Sequence, residues 1–211
     1  APELSTVIEN TPDTRKKQVT YIANEIPAAI ADGLEGLSRI TTIVKAMREF
    51  SHSGSTKARA DINKAIETTI TVARNEWKYC AEVKTLLDPT LPAVACYIGD
   101  LNQVILNLIV NSAQAIAEKN GSSGVKGHIT IRTSQDVSHV VIEVEDDGGG
   151  IPDKIKEKVF DPFFTTKDVG KGTGQGLFLA HRVVKERHGG TIGFESKEGD
   201  GTTFTIRIPK N

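Results

Sequence analysis

The segment from Asp100 to about Glu118 carries Leu101, Val104, Ile105, Leu108, Ile109 and Ile116 at helical spacing, so closely set that the helix must be buried on most sides. Gly121-Ser122-Ser123-Gly124 ends it, and Asp100 reads as its cap. Two alternating runs follow, His128–Thr133 and His139–Glu145, separated by a turn-forming stretch as in a β-hairpin. Upstream, Asp61 through Trp77 reads as a helix with Asp61 as N-cap, then a strand around Glu82–Leu87 that Pro89 and Pro92 close. Downstream come a Gly-rich region, a helix from about Gly176 to His188, and strands over Thr191–Ser196 and Thr202–Ile208. Helices interleaved with hairpins predict an α/β fold, a two-layer sandwich with a mixed sheet.

A different pattern precedes this. From about Gln18 to Phe50, Ile26, Ile30, Leu37, Ile40, Val44 and Met47 recur mostly in steps of four and three once Gly33 is counted, which is a heptad seam, and Leu34, Ile43 and Phe50 widen it. A long helix with such a stripe must pack on another helix or a second chain. Ser51-His52-Ser53-Gly54-Ser55-Thr56 then reads as a linker. The expected organisation is a helical segment over 1–54 and an α/β domain over 55–211.

Composition narrows the function. Among 211 residues, 38% hydrophobic and 25% charged content suits a packed core, and 26 basic against 27 acidic residues leave a net charge of -1. That balance argues against a broad nucleic-acid or lipid footprint, so any phosphate site must be local. No apolar run reaches the roughly 18 residues of a membrane span, and the polar start is no signal peptide, so no membrane contact is expected of this stretch. Cys80 and Cys96 lack CxxC spacing and a His cluster, which predicts reduced thiols in a cytoplasmic protein.

Asn107 and Asn111 stand four apart, placing both amides on one face of the apolar helix. Such a pair can cap a loop or bridge helices. It also suits Mg²⁺, because an amide oxygen is a hard ligand for an ion that takes its other oxygens from water and substrate phosphates, and Asn111 would be that ligand. Asp146-Asp147-Gly148-Gly149-Gly150 follows a strand, where a carboxylate can receive an amino group such as adenine's and glycine lets backbone approach a flat base. Asp146 is the expected base reader. Gly170-Lys171-Gly172-Thr173-Gly174-Gln175-Gly176-Leu177 lies at a helix start, a place suited to phosphate, yet no Lys-Ser/Thr makes it a Walker loop. Between the glycine regions, Phe160-Asp161-Pro162-Phe163-Phe164-Thr165-Thr166-Lys167 reads as a lid.

These strings, in this order, resemble the ATP-binding catalytic domain of sensor histidine kinases of two-component systems, within the GHKL superfamily of Bergerat-fold ATPases. The match runs from roughly Asp61 to Pro209. The asparagine pair resembles the family's N-box, Asp146-x-Gly148-x-Gly150 its first glycine box, Phe160-Asp161-Pro162-Phe163 its F-box, Gly172-x-Gly174-x-Gly176 its second glycine box, and Gly199-Asp200-Gly201-Thr202 its last small glycine motif. The helix up to Phe50 is similar to the second helix of the dimerisation and phosphotransfer hairpin.

The resemblance implies that Asp146 binds the adenine amino group, that Asn111 holds Mg²⁺ and that Asn107 supports the phosphate side. Gly148, Gly150, Gly172, Thr173, Gly174, Gly176 and Leu177 would shape the ATP pocket, Thr203 would lie near adenine, and Lys171 and Lys167 could meet phosphate from the lid. It further implies a homodimer through the hairpin helices and a response regulator receiver domain as partner. Three departures stand out. None of His52, His128, His139, His181 and His188 heads the His-Asp/Glu pattern of a phosphoacceptor, Gln114 stands where many members have a basic residue, and Gln175 where Leu is usual. His188 reads as a cation at a helix end before Gly189. The competing readings are an ATP-hydrolysing GHKL enzyme, which would carry a water-activating glutamate near position 107, and a noncatalytic nucleotide-gated module.

Overall fold

The structure, a computed structural model, describes residues 56–166 and 174–210 together with scattered positions between Arg15 and Val44. The chain divides into two compact units, Ala1–Lys45 and Ala46–Asn211. In the first, every described position is helical, Pro27 and Gly33 included. Tyr21, Ile26, Ile30, Leu34, Leu37, Ile40 and Val44 are each more than half exposed, an apolar stripe with nothing of its own chain to cover it among the described residues. Ile43, Met47 and Phe50 lie outside those residues.

The second unit opens with β1 (Ala58–Ala60) and α1 (Ile62–Val72). Asp61 is the N-cap as its sequence position predicts, its Oδ1 accepting the Lys64 N–H at 3.1 Å. The helix expected through Trp77 is interrupted at Ala73, and the short α2 (Arg74–Trp77) turns so that Trp77 Nε1 donates to the Ile70 carbonyl at 3.2 Å. Next come β2 (Ala81–Leu86) and β3 (Val94–Cys96). β1 and β3 pair antiparallel as a small sheet of their own. Strands of three residues carry too little alternation to be read from sequence.

α3 spans Ile98–Asn120 and buries Leu101, Val104, Ile105, Leu108, Ile109, Ala113 and Ile116. It starts earlier than expected. Tyr97 is the N-cap, and Asp100 instead sits in the first turn, where a carboxylate meets the positive helix end, and pairs with Arg187. β4 (Gly127–Gln135) and β5 (His139–Asp146) form the expected hairpin, and α4 (Gly176–Arg182) continues as a π-helical turn over Val183–Arg187. β6 (Thr191–Lys197) and β7 (Gly201–Pro209) complete a five-stranded sheet ordered β2-β4-β5-β7-β6, parallel only between β2 and β4. This is the mixed-sheet α/β sandwich that the interleaved pattern predicts.

Strand alternation builds the core and delivers the site. Val140, Ile142 and Val144 of β5 and Phe204, Ile206 and Ile208 of β7 are buried on one face, against α3. The same phase carries Asp146 and Thr202, paired in register, onto that face at the strand ends. Both are buried although polar.

Candidate functional site

A cavity of about 460 Å³ opens between α3, the end of β5, the start of β7 and the base of the loop after the 3₁₀ turn Asp153–Lys158. Asn107, Asn111, Asp146, Gly150, Gly174, Gly176 and Leu177 all line it, with Ile151, Val159 and Phe204 as apolar wall. Thus α3, the first glycine region and the start of α4 converge on one space, although they are far apart in the chain.

Asp146 is the buried polar centre of this space. Its Oδ2 accepts the Ser112 hydroxyl at 2.9 Å, and its Oδ1 accepts the Gly148 backbone N–H at 3.0 Å. Burial pushes its carboxyl above the ordinary range, opposed by hydrogen bonds from Ser112, Gly148 and Thr202. Asp147 is engaged elsewhere, accepting the His128 N–H at 2.8 Å and pairing with His128 Nδ1 at 2.9 Å. Of the adjacent aspartates, only Asp146 is in the cavity wall.

Gly148 packs so closely that a Cβ there would stand 2.7 Å from the Ala115 Cβ. Gly150 has φ +70, and a Cβ on it would lie 2.1 Å from the Lys197 carbonyl oxygen. Only glycine satisfies both conditions. At the far side, Gly174 (φ +64) abuts the backbone of Phe163, itself at φ 64 and strongly exposed. Phe160 anchors the same segment through ring contacts with His181 (5.1 Å) and Phe194 (5.8 Å). Lys167, Lys171, Gly172 and Thr173 lie outside the described residues.

The two asparagines take different positions. Asn107 donates from Nδ2 to the Gly176 carbonyl at 3.3 Å and accepts Gln103 Nε2 at Oδ1, tying α3 to the start of α4. Asn111, one turn on, lines the cavity as a half-buried amide. Thr203 is not with them. Alternation turns it to the opposite face, in register with Glu145 and Glu195, while its neighbour Thr202 lines the cavity beside Asp146. Ser112 and Thr202 were the members least visible in the sequence. A serine in phase with Leu101, Leu108 and Ile105 on a buried helix face does signal a hydroxyl in need of a partner.

His188 differs from the helix-end cation its position suggests. It is buried, its Nε2 accepts the Tyr97 N–H at 3.0 Å and its Nδ1 meets the Val183 carbonyl at 3.0 Å. An accepting Nε2 and a donating Nδ1 describe a neutral imidazole that joins the π-helical turn to the start of α3. Cys80 and Cys96 are both free, and burial pushes the Cys96 thiol up to about 11. No helix among the described residues is long and apolar enough to cross a membrane.

An α/β sandwich with an aspartate at a strand end, glycines pressed against it and an asparagine-bearing helix across the cavity defines a domain of the GHKL, Bergerat-fold class. Residues 97–211 match the family described as histidine kinase-, DNA gyrase B-, and HSP90-like ATPase, and the chain belongs to that family. It is 32% identical to the sensor histidine kinase ZraS of Escherichia coli O157:H7 over 90% of this chain and 39% of that protein. To the sensor kinase CckA of Brucella abortus (strain 2308) it is 41% identical over 54% of this chain and 13% of that protein. The chain therefore spans less than half the length of these relatives. Among solved structures, a nucleotide-free form of the catalytic domain of histidine kinase ThkA matches with a TM-score of 0.62 and 30% identity, over 73% of this chain and 95% of that one. The family and fold that the five motifs imply are both borne out.

Proposed function

We propose that this domain is the Mg-ATP-binding core of a protein histidine kinase of a two-component system. The observation that carries the reading is the placement of Asp146: a buried carboxylate, fixed by Ser112 and Gly148, in the wall of a cavity that Asn111 and the first turn of α4 also line. A carboxylate there accepts the adenine amino group, with Ile151 and Phe204 as apolar neighbours of the base. Asn111 and the first turn of α4 face the phosphate side. The residues fit a Mg²⁺ that arrives with nucleotide. Asn111 offers one hard oxygen, and among the described residues no cluster of three His, Cys, Asp or Glu could hold a metal alone. When bound, Mg²⁺ would neutralise phosphate charge; this chain's part is to align the triphosphate so that a histidine ring nitrogen attacks the γ-phosphorus while its bond to the bridging oxygen breaks and ADP leaves.

The histidine would stand on a helix paired with the segment 1–54, read as the second helix of a dimerisation hairpin, and a receiver domain would take the phosphoryl group onward. The uncovered stripe from Ile26 to Val44 supports a homodimer through that segment. A cytoplasmic site of action, with or without a membrane-anchored parent, accords with this reading. The hydrolytic alternative is weakened by Asn107, an amide bonded to Gly176 that has no basic group to activate water. The test is to incubate the chain with labelled ATP and Mg²⁺, alone and with a hairpin helix bearing His-Glu or His-Asp. Acid-labile, base-stable phosphate on the supplied helix, and none on this chain alone, is expected. ATP bound without transfer to any such helix would favour a noncatalytic module.

A further inference from the structure

We propose that Ser112 is a positioning residue for base recognition: its hydroxyl holds the Asp146 carboxylate in the orientation and ionised form that distinguish adenine from a base with no amino group at that place. This rests on the ATP reading and extends it to a residue whose side chain need not touch nucleotide.

The geometry is specific. Ser112 is almost fully buried on α3, directly after Asn111, and its Oγ lies 2.9 Å from Asp146 Oδ2. The Gly148 N–H occupies Oδ1 at 3.0 Å, so each carboxylate oxygen has a donor from a different element, helix on one side and glycine turn on the other. These donors, with the Thr202 backbone as a further one, leave the ionised group one role toward a ligand, that of acceptor, which matches an exocyclic amino group and mismatches a ring carbonyl. Burial works against the charged form of this carboxyl, and a protonated carboxyl would be a donor. Ser112 is first among the hydrogen bonds that oppose the effect of burial on this group. Among the described residues, the other charged groups around it are Asp147 next in the chain, Glu118 on the cavity wall, and Glu145, Glu195, Lys197 and Asp200 around a depression that Asp146 also lines. Asp147 is the charge among them that acts with burial against the ionised form, and the Ser112 hydrogen bond opposes both.

Inosine triphosphate separates this role from packing, because it keeps the ribose and phosphates of ATP but carries a carbonyl where adenine has its amino group. The full chain and Ser112→Ala are titrated with both nucleotides, with Mg²⁺, from about pH 5.5 to pH 8, and the ratio of affinities is read so that phosphate titration cancels. Wild type should prefer ATP throughout. In Ser112→Ala the preference should fall by about tenfold near the acid end and recover toward pH 8, through weaker ATP binding with inosine triphosphate bound no more weakly than by wild type. An unchanged ratio at every pH, or equal losses for both nucleotides, would overturn the inference while leaving ATP binding standing. A wild type that binds neither nucleotide, or both equally, would instead overturn the ATP reading on which it rests.

Discussion

The side-chain amide of Asn107 donates to the backbone carbonyl of Gly176 across 3.3 Å, joining the middle of α3 to the first residue of α4. Asn111, one helical turn away, makes no such tie and lines the cavity. One asparagine thus ties two helices together, and on the proposed reading the other holds Mg²⁺. Asn111→Ala should abolish most of the Mg²⁺ dependence of ATP binding. Asn107→Ala should weaken binding with and without Mg²⁺ alike, through loss of the α4 anchor. Calorimetric titration with and without Mg²⁺ decides between them, and equal metal dependence in the two variants would show the roles to be wrongly divided.

Gly174 stands against the Phe163 backbone in a geometry that excludes a side chain. With φ +64 and a prospective Cβ 2.3 Å from the Phe163 carbonyl carbon, it tolerates no side chain without backbone movement. Gly174→Ala should cost about 1–3 kcal/mol, either of global stability or of the local order beside Phe163. Urea unfolding reads the first and ATP affinity the second. A variant indistinguishable from wild type in both would mean that the contact with Phe163 is easily relieved.

The acid limit of stability should trace in part to a turn far from the cavity. Backbone N–H groups of Ser138 and His139 hold the Asp136 carboxyl well down, to about 2 from an ordinary 3.8. A lowered carboxyl stabilises the fold above its unfolded value and loses that contribution as pH falls through the folded one. Asp136→Asn should therefore lower the unfolding midpoint at neutral pH and flatten its fall between about pH 4 and pH 2. Parallel melting curves across that window would contradict the assignment.

Most of the fold was legible because it rests on periodicities that burial enforces. The α3 pattern, the β4–β5 hairpin and the last two strands each bury one phase of their sequence, and their expected bounds differ from the observed ones by a residue or two. The small β1–β3 sheet carries no such period, and the break at Ala73 has no Gly or Pro to announce it. In the site, Asp146 and the asparagines could be chosen by motif and spacing. Thr202 rather than Thr203 could not, since that choice depends on which phase of β7 faces inward. His188 looked like a helix-end cation because its partner, the Tyr97 N–H, lies 91 residues away in sequence.

If Asp146 receives the adenine amino group, its amide variant should bind ATP poorly. The measurement is a titration of wild type and Asp146→Asn with ATP in the presence of Mg²⁺, with a melting curve to show that the variant is folded. Asparagine keeps the size but presents a donor to one of the donors that hold the carboxylate, or to the base itself, a buried mismatch of about 1–3 kcal/mol. ATP affinity should be at least roughly tenfold weaker in a folded variant. Unchanged affinity in a folded Asp146→Asn domain would contradict that role for Asp146.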